Sequence, residues 1–313
     1  MRFDYKDINL VPKYSIVDSR SECDPSILFG EHKFTNPIMP ANMESVIDKE
    51  IAVKLATSGY FYVMHRFGTD NIEFTKMMKS KGLITSVSIG VNQDAYDYLD
   101  IIVLDKDLVP DYITIDIAHG HCKKMKKMIK HLKKVLPNVF VIAGNVSTIE
   151  ATSDLDNWGS DAIKVGIGDG SACTTYPTTG FGSRGIQASV VYECANVTKK
   201  HIITDGGIQD PMDIFKSIVL GASMCMVGGM LSSFTDSPGR TIEQNGKYYK
   251  EFYGSASASQ SNKTKRIEGT VKLNPMKNIK ILDYMDYLSE CAQSAISYGG
   301  GTKLECLHSV RWV

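Results

Sequence analysis

Short apolar runs bounded by turn residues recur along this chain, and most are followed by a stretch with helical character. The runs are Pro37–Asn42, Tyr60–His65, Leu83–Gly90, Tyr112–Ala118, Val139–Val146, Ala162–Gly168, His201–Gly207 and Met224–Gly229. Helical segments such as Asp48–Ser58 and Asp210–Leu220 lie between them, each opened by an aspartate suited to an N-cap. A third, Lys123–Leu136, is thick with lysine, yet Met125, Met128, Ile129 and Leu132 recur at helical spacing. That pattern predicts a solvated amphipathic helix rather than a nucleic-acid patch. Strand and helix in alternation predict parallel strands covered by helices. Eight such units predict an α/β protein built as a closed (β/α)8 barrel, with residues 1–313 as one domain.

Composition narrows the picture. With 313 residues, 43% of them hydrophobic, and a formal net charge of zero, the chain can bury a large core and has no general affinity for nucleic acid. Cysteines at 23, 122, 173, 194, 225, 291 and 306 are widely spaced and odd in number. They form neither a disulfide framework nor a zinc spacing, so a reducing cytoplasm is expected. The opening Met1–Asp7 lacks a signal peptide's apolar core and no run approaches membrane-spanning length, which predicts a soluble protein without membrane partners.

In such barrels the functional site forms where strands end. The residues just past the runs are polar or glycine-rich: Asn42, His65, Asp116 to His119, Gly144-Asn145, Asp205-Gly206-Gly207 and Gly228-Gly229. After the sixth run comes Gly166-Ile167-Gly168-Asp169-Gly170-Ser171-Ala172-Cys173-Thr174-Thr175. It sets a thiol on a glycine loop, where it would serve as a nucleophile or as a buried cysteine beside a turn. The glycines at 206, 207, 228 and 229, with the Ser171 hydroxyl, suit a phosphate, and Asp205 suits ribose hydroxyls, so together they suggest a nucleoside monophosphate. Strand-ending turns with a helix cap are the plainer alternative. Asp116 would orient a substrate or a nicotinamide, or make structural hydrogen bonds. His119 and His121 flank Gly120 without a metal-ligand spacing. Downstream, Tyr253-Gly254-Ser255 leads through a polar stretch to Arg266-Ile267-Glu268-Gly269, a composition suited to a mobile lid.

These residues resemble the family that contains inosine monophosphate dehydrogenase and guanosine monophosphate reductase. The resemblance runs essentially end to end, through Phe3–Pro12, Ser19–Cys23, Pro40–Met43, Ala143–Val146, the cysteine loop, Asp205–Gly207 and Tyr253–Ser255. The reductase side is favoured by two features. The interval between the second and third runs is too short for the paired regulatory module usual in the dehydrogenase, and the span from Tyr253 to Glu268 lacks its water-activating Arg-Tyr pair.

The resemblance implies reduction of guanosine monophosphate (GMP) to inosine monophosphate (IMP) and ammonia with NADPH. Cys173 would attack the purine C2, and Thr175 with Glu268 would relay a proton to the departing amine. Ser171, Gly207, Gly228 and Gly229 would hold phosphate and Asp205 the ribose, Gly206, Tyr253, Gly254 and Ser255 would also bind the substrate, and Asp116, Ala118 and His119 would bind the cofactor. Backbone carbonyls of Gly166, Gly168 and Cys173 would hold a potassium ion. A homotetramer is also implied. Two positions depart from the family pattern: Asp169 replaces the usual proline and Tyr176 a usual basic residue. A dehydrogenase without its regulatory module, or a catalytically silent nucleotide-binding barrel, are the competing readings.

Overall fold

The computed structural model describes residues 2–254 and 270–313. A short antiparallel hairpin opens the chain, strands β1 (Ile27–Phe29) and β2 (His32–Phe34). The barrel strands follow: β3 (Ile38–Pro40), β4 (Ser86–Ile89), β5 (Tyr112–Asp116), β6 (Phe140–Val146), β7 (Ala162–Val165), β8 (His201–Asp205) and β9 (Met224–Val227). All seven are parallel in one sheet of order β3-β9-β8-β7-β6-β5-β4.

The expected second strand, Tyr60–His65, differs from the sequence reading: it forms no ladder and joins β4 through a single parallel bridge, Met64 with Val87. It nevertheless fills the eighth position. Phe61 and Val63 belong to the cluster inside the barrel, whereas Tyr60, Tyr62 and Met64 pack in the outer layer with the helices. The Tyr62 hydroxyl donates to the Ile84 carbonyl at 2.8 Å and the Tyr60 hydroxyl to Asp286, so side chains tie down a segment whose backbone is only partly paired. Of the other runs, Val139–Val146 reaches its expected end as β6, and the remaining six stop one to three residues short of theirs, where the chain turns away to build the mouth.

Alternation along each strand explains the two cores. On β5, Tyr112 faces the lumen and Ile113 and Ile115 face the helices. On β8, Ile203 faces in and Ile202 out. The hairpin closes the bottom of the lumen: Phe29 meets Phe61, Tyr112, Phe140 and His201 at ring-centroid distances of 4.9–5.9 Å. Burying such a ring contributes about 3 kcal/mol or more.

Outside the barrel lie α1 (Lys49–Thr57), α2 (Asn71–Ser80), α3 (Gln93–Ile102), α4 (Lys123–Val135), α5 (Ile149–Trp158), the short α6 (Thr175–Thr179), α7 (Gln187–Ala195), α8 (Pro211–Val219) and α9 (Ile281–Tyr298). Asp48 caps α1 by accepting the Ile51 amide at 2.8 Å. Asp210 occupies the N-cap of α8, where the Asp213 carboxylate accepts the amides of Gln209 and Asp210. In α4 the four apolar residues are fully buried and most lysines point to solvent, as the spacing predicts. A three-stranded antiparallel sheet, β10 (Thr241–Gln244), β11 (Lys247–Tyr253) and β12 (Val271–Pro275), rises beside the mouth. The two ends of the chain meet. Asn9 and Val313 exchange backbone hydrogen bonds at 2.8 and 3.0 Å, and the Val11 amide donates to the Arg311 carbonyl at 2.8 Å.

Candidate active site

At the C-terminal ends of the strands a cavity of about 940 Å³ opens, spacious enough for a nucleotide and part of a second ligand. The cysteine loop forms one wall. A turn closed by the Cys173 amide donating to the Gly170 carbonyl at 2.9 Å turns the half-buried thiol toward the cavity. The Cys173 thiol donates to Thr175 Oγ1 at 3.3 Å, so the nucleophile candidate and the first residue of α6 are in contact. Beyond residue 269 the chain returns to this wall, where the Thr270 amide donates to the Ala172 carbonyl at 3.0 Å.

Gly166 begins the loop at φ +142°, a conformation that other residues rarely adopt, and any side chain there would collide with the Asp205 carbonyl. The loop is therefore seated directly on the end of β8. Across from it, Ser171 Oγ approaches Gly229, and Gly206 and Gly207 line the same side together with Gly228. A hydroxyl, two glycine turns and the start of a 3₁₀ turn at Gly229–Leu231 converge as an anion would require.

The cavity floor is polar where a barrel floor is usually apolar. Lys164 points into the lumen from β7 and is buried, with Nζ 2.9 Å from Asp116 Oδ1 and 2.7 Å from Asp205 Oδ2. Asn145 Nδ2 donates to Asp205 Oδ2 at 2.7 Å and to the Gly166 carbonyl at 2.6 Å, and Asn42 Nδ2 donates to Asp116 Oδ2 at 3.2 Å. Burial alone would raise the Asp116 pKa, but the ammonium beside it, its hydrogen bond and the nearby Arg66 outweigh burial and hold it below the ordinary value. For Lys164, burial favours the neutral amine. Its two aspartates overcome that and push the pKa well above the ordinary value, so the ammonium keeps its charge.

Asp169 behaves differently. Its side chain packs against Gly206 and Gly207, and Oδ2 is buried with no hydrogen-bond partner among the described residues. Burial, then the charge of Asp4, push its pKa up to about 7, against the pull of Arg184.

The whole chain is matched, over residues 2–310, by the family model for the IMP dehydrogenase / GMP reductase domain. The chain belongs to the IMP dehydrogenase/GMP reductase family. Among its curated relatives, the GMP reductase of Albidiferax ferrireducens is 51% identical over 311 residues, covering 99% of this chain and 95% of the relative. The GMP reductase of Variovorax paradoxus is 50% identical with the same coverage. That of Bacillus subtilis is 48% identical over 312 residues, again covering 99% and 95%.

For this family member, the residues singled out in the sequence fall into three groups. Cys173, Thr175, Ser171, Asp205, Gly206, Gly207, Gly228, Gly229, Gly254, Asp116 and Ala118 all line the one cavity. Tyr253 and His119 do not. The Tyr253 hydroxyl donates to Glu44 Oε2 at 3.3 Å, and Phe252 lines the cavity in its place; His119 is exposed beyond the rim. Glu268 and Ser255 lie outside the described residues. Of the three loop carbonyls, that of Gly166 accepts a hydrogen bond from Asn145 Nδ2 at 2.6 Å. Among the described residues no group of three or more His, Cys, Asp or Glu side chains is placed to hold a metal, and no helix is long and apolar enough to cross a membrane.

Sequence reasoning missed Lys164 and Arg66. Both line the cavity, and the signal for Lys164 was available: it is the one charged residue in an apolar run, two positions before the glycine loop.

Proposed function

We propose that this chain is a reductase that converts GMP to IMP and ammonia with NADPH as hydride donor. The observation that carries the reading is the Cys173 thiol in contact with Thr175 Oγ1, in the same cavity as the serine and glycine cradle. The GMP reductase names of relatives at about half identity along nearly the whole chain support the same reading.

In this reading Ser171 and the glycine turns hold the phosphate, Asp205 accepts from the ribose hydroxyls, and Cys173 bonds to the purine C2. The amine at C2 leaves only when protonated, and Thr175 passes that proton on without carrying charge itself. Glu268 is the expected partner of Thr175 in the relay. The nicotinamide lies against Asp116 and Ala118, which line the same cavity. When bound there in reduced form, it supplies hydride to C2. The thiolate of Cys173 is then the leaving group, which frees IMP and restores the enzyme.

Purified protein given GMP and NADPH should consume the absorbance of the reduced nicotinamide and release one ammonia per NADPH. Cys173→Ala should lower both rates at least ~10³-fold. Full turnover in that variant would eliminate the covalent route. Formation of xanthosine monophosphate from IMP and NAD, with no GMP reduction, would assign the dehydrogenase reaction instead.

A further inference from the structure

Lys164 has no part in the steps above, yet it is the most deeply placed charge of the site, its side chain only 4% exposed. The barrel is shaped to admit it. Opposite on β6 stands Gly144, and a Cβ there would fall 2.6 Å from Lys164 Cβ. The single ammonium then reaches carboxylates on two other strands, Asp116 on β5 and Asp205 on β8, and so joins strands that have no direct pairing with each other. In the functional reading, on which this inference rests, Asp205 faces the nucleotide and Asp116 the cofactor.

We infer that Lys164 is a positioning residue that fixes both carboxylates in one frame and thereby couples nucleotide binding to cofactor binding. Each carboxylate carries a further donor that aims it: Asn145 on Asp205 and Asn42 on Asp116. Among the described residues each asparagine reaches one of the aspartates, whereas the ammonium reaches both. A ligand that immobilises one carboxylate immobilises the ammonium, and the other carboxylate is then already ordered for the second ligand. The result is positive coupling between two ligands that need not touch. Without the ammonium, two like charges share a water-poor floor and repel one another. Both ligands then meet a misplaced acceptor.

The test uses the full chain and calorimetric titration of GMP and of NADP⁺, each alone and each in the presence of the other. In the unaltered protein each ligand should tighten the other about fivefold or more. Lys164→Met, checked for native circular dichroism and a cooperative melt, should weaken each ligand at least tenfold and reduce the coupling factor to one. Adding Asp116→Asn to Lys164→Met removes the repulsion. It should restore GMP affinity severalfold while NADP⁺ affinity stays low, a rescue that a merely structural lysine would not allow. Should Lys164→Met fail to fold, Asp116→Asn alone serves: it should abolish the coupling while GMP alone still binds. Unchanged coupling in Lys164→Met, or in Asp116→Asn, would overturn the inference. An unaltered protein that bound neither ligand would overturn the functional reading and this inference together; one that bound both without coupling would overturn this inference alone.

Discussion

Asp169→Asn is expected to stabilise the protein at neutral and alkaline pH, although it removes a charged residue from the edge of the site. The carboxyl titrates at about 7 in the fold and at its ordinary 3.8 in the unfolded chain, chiefly because it is buried and because Asp4 lies near. The folded state thus holds its proton more tightly. Stability contributed by the neutral form is complete below about 4, declines as the pH rises towards 7, and is gone above it. The full difference corresponds to at most ~4 kcal/mol. Water reaches the open cavity rim and screens part of this, so about 2 kcal/mol is the expected gain from the asparagine variant at pH 8. Urea unfolding of both proteins between pH 4.5 and 8.5 measures it. The variant's advantage should shrink steadily as the pH falls and approach zero near pH 4. An advantage that does not change with pH, or a variant less stable at pH 8, would refute the reasoning. The first outcome would point to packing against Gly206 and Gly207, the second to Arg184 as the dominant partner.

Two further outcomes test other parts of the account. Phe29→Ala empties the bottom of the lumen and should cost about 3–5 kcal/mol in chemical denaturation, with little effect on turnover of the protein that remains folded, because the site lies at the opposite end. Thr175→Ala should slow ammonia release at least ~10²-fold while Thr175→Ser retains most of it, measured in single-turnover assays with GMP; equal losses in the two would detach the hydroxyl from proton transfer.

Most of the barrel was legible because its strands carry buried apolar residues toward the helices and, in most of them, toward the lumen as well, and such runs stand out from their surroundings. Tyr60–His65 shows the limit of that signal. Its alternation and burial are those of a strand, but whether a backbone pairs depends on the neighbouring segment, here one anchored by tyrosine hydroxyls. The cysteine loop was legible for a different reason: glycines at positions of positive φ and close backbone approach leave a local mark. Lys164 left a mark too, as the one charge in an apolar run, but a lysine in a strand signals an exposed edge as readily as a buried ion triad. Only the arrival of Asp116 and Asp205 from strands 48 residues before and 41 residues after it distinguishes the two. Tyr253 was placed by the resemblance of Tyr253-Gly254-Ser255 to the family motif, and its side chain went instead to Glu44, leaving Phe252 to line the cavity.

The clasp between residues 9–11 and 311–313 bears on how the chain is made. Ribosomes add about 5–20 residues per second, so the opening segment waits roughly 15–60 s before its partner exists. During that interval Asn9, Leu10 and Val11 lack their final pairing with residues at the far end of the sequence. Such non-local pairings form late. The hairpin that plugs the lumen can pack as soon as the central strands have emerged, but the seam at the chain's two ends must wait for residues 311–313. Tyr5 finds its partners far earlier, in Thr204 and Lys216, so the first residues can dock on the barrel well before the seam at 9–11 closes over them.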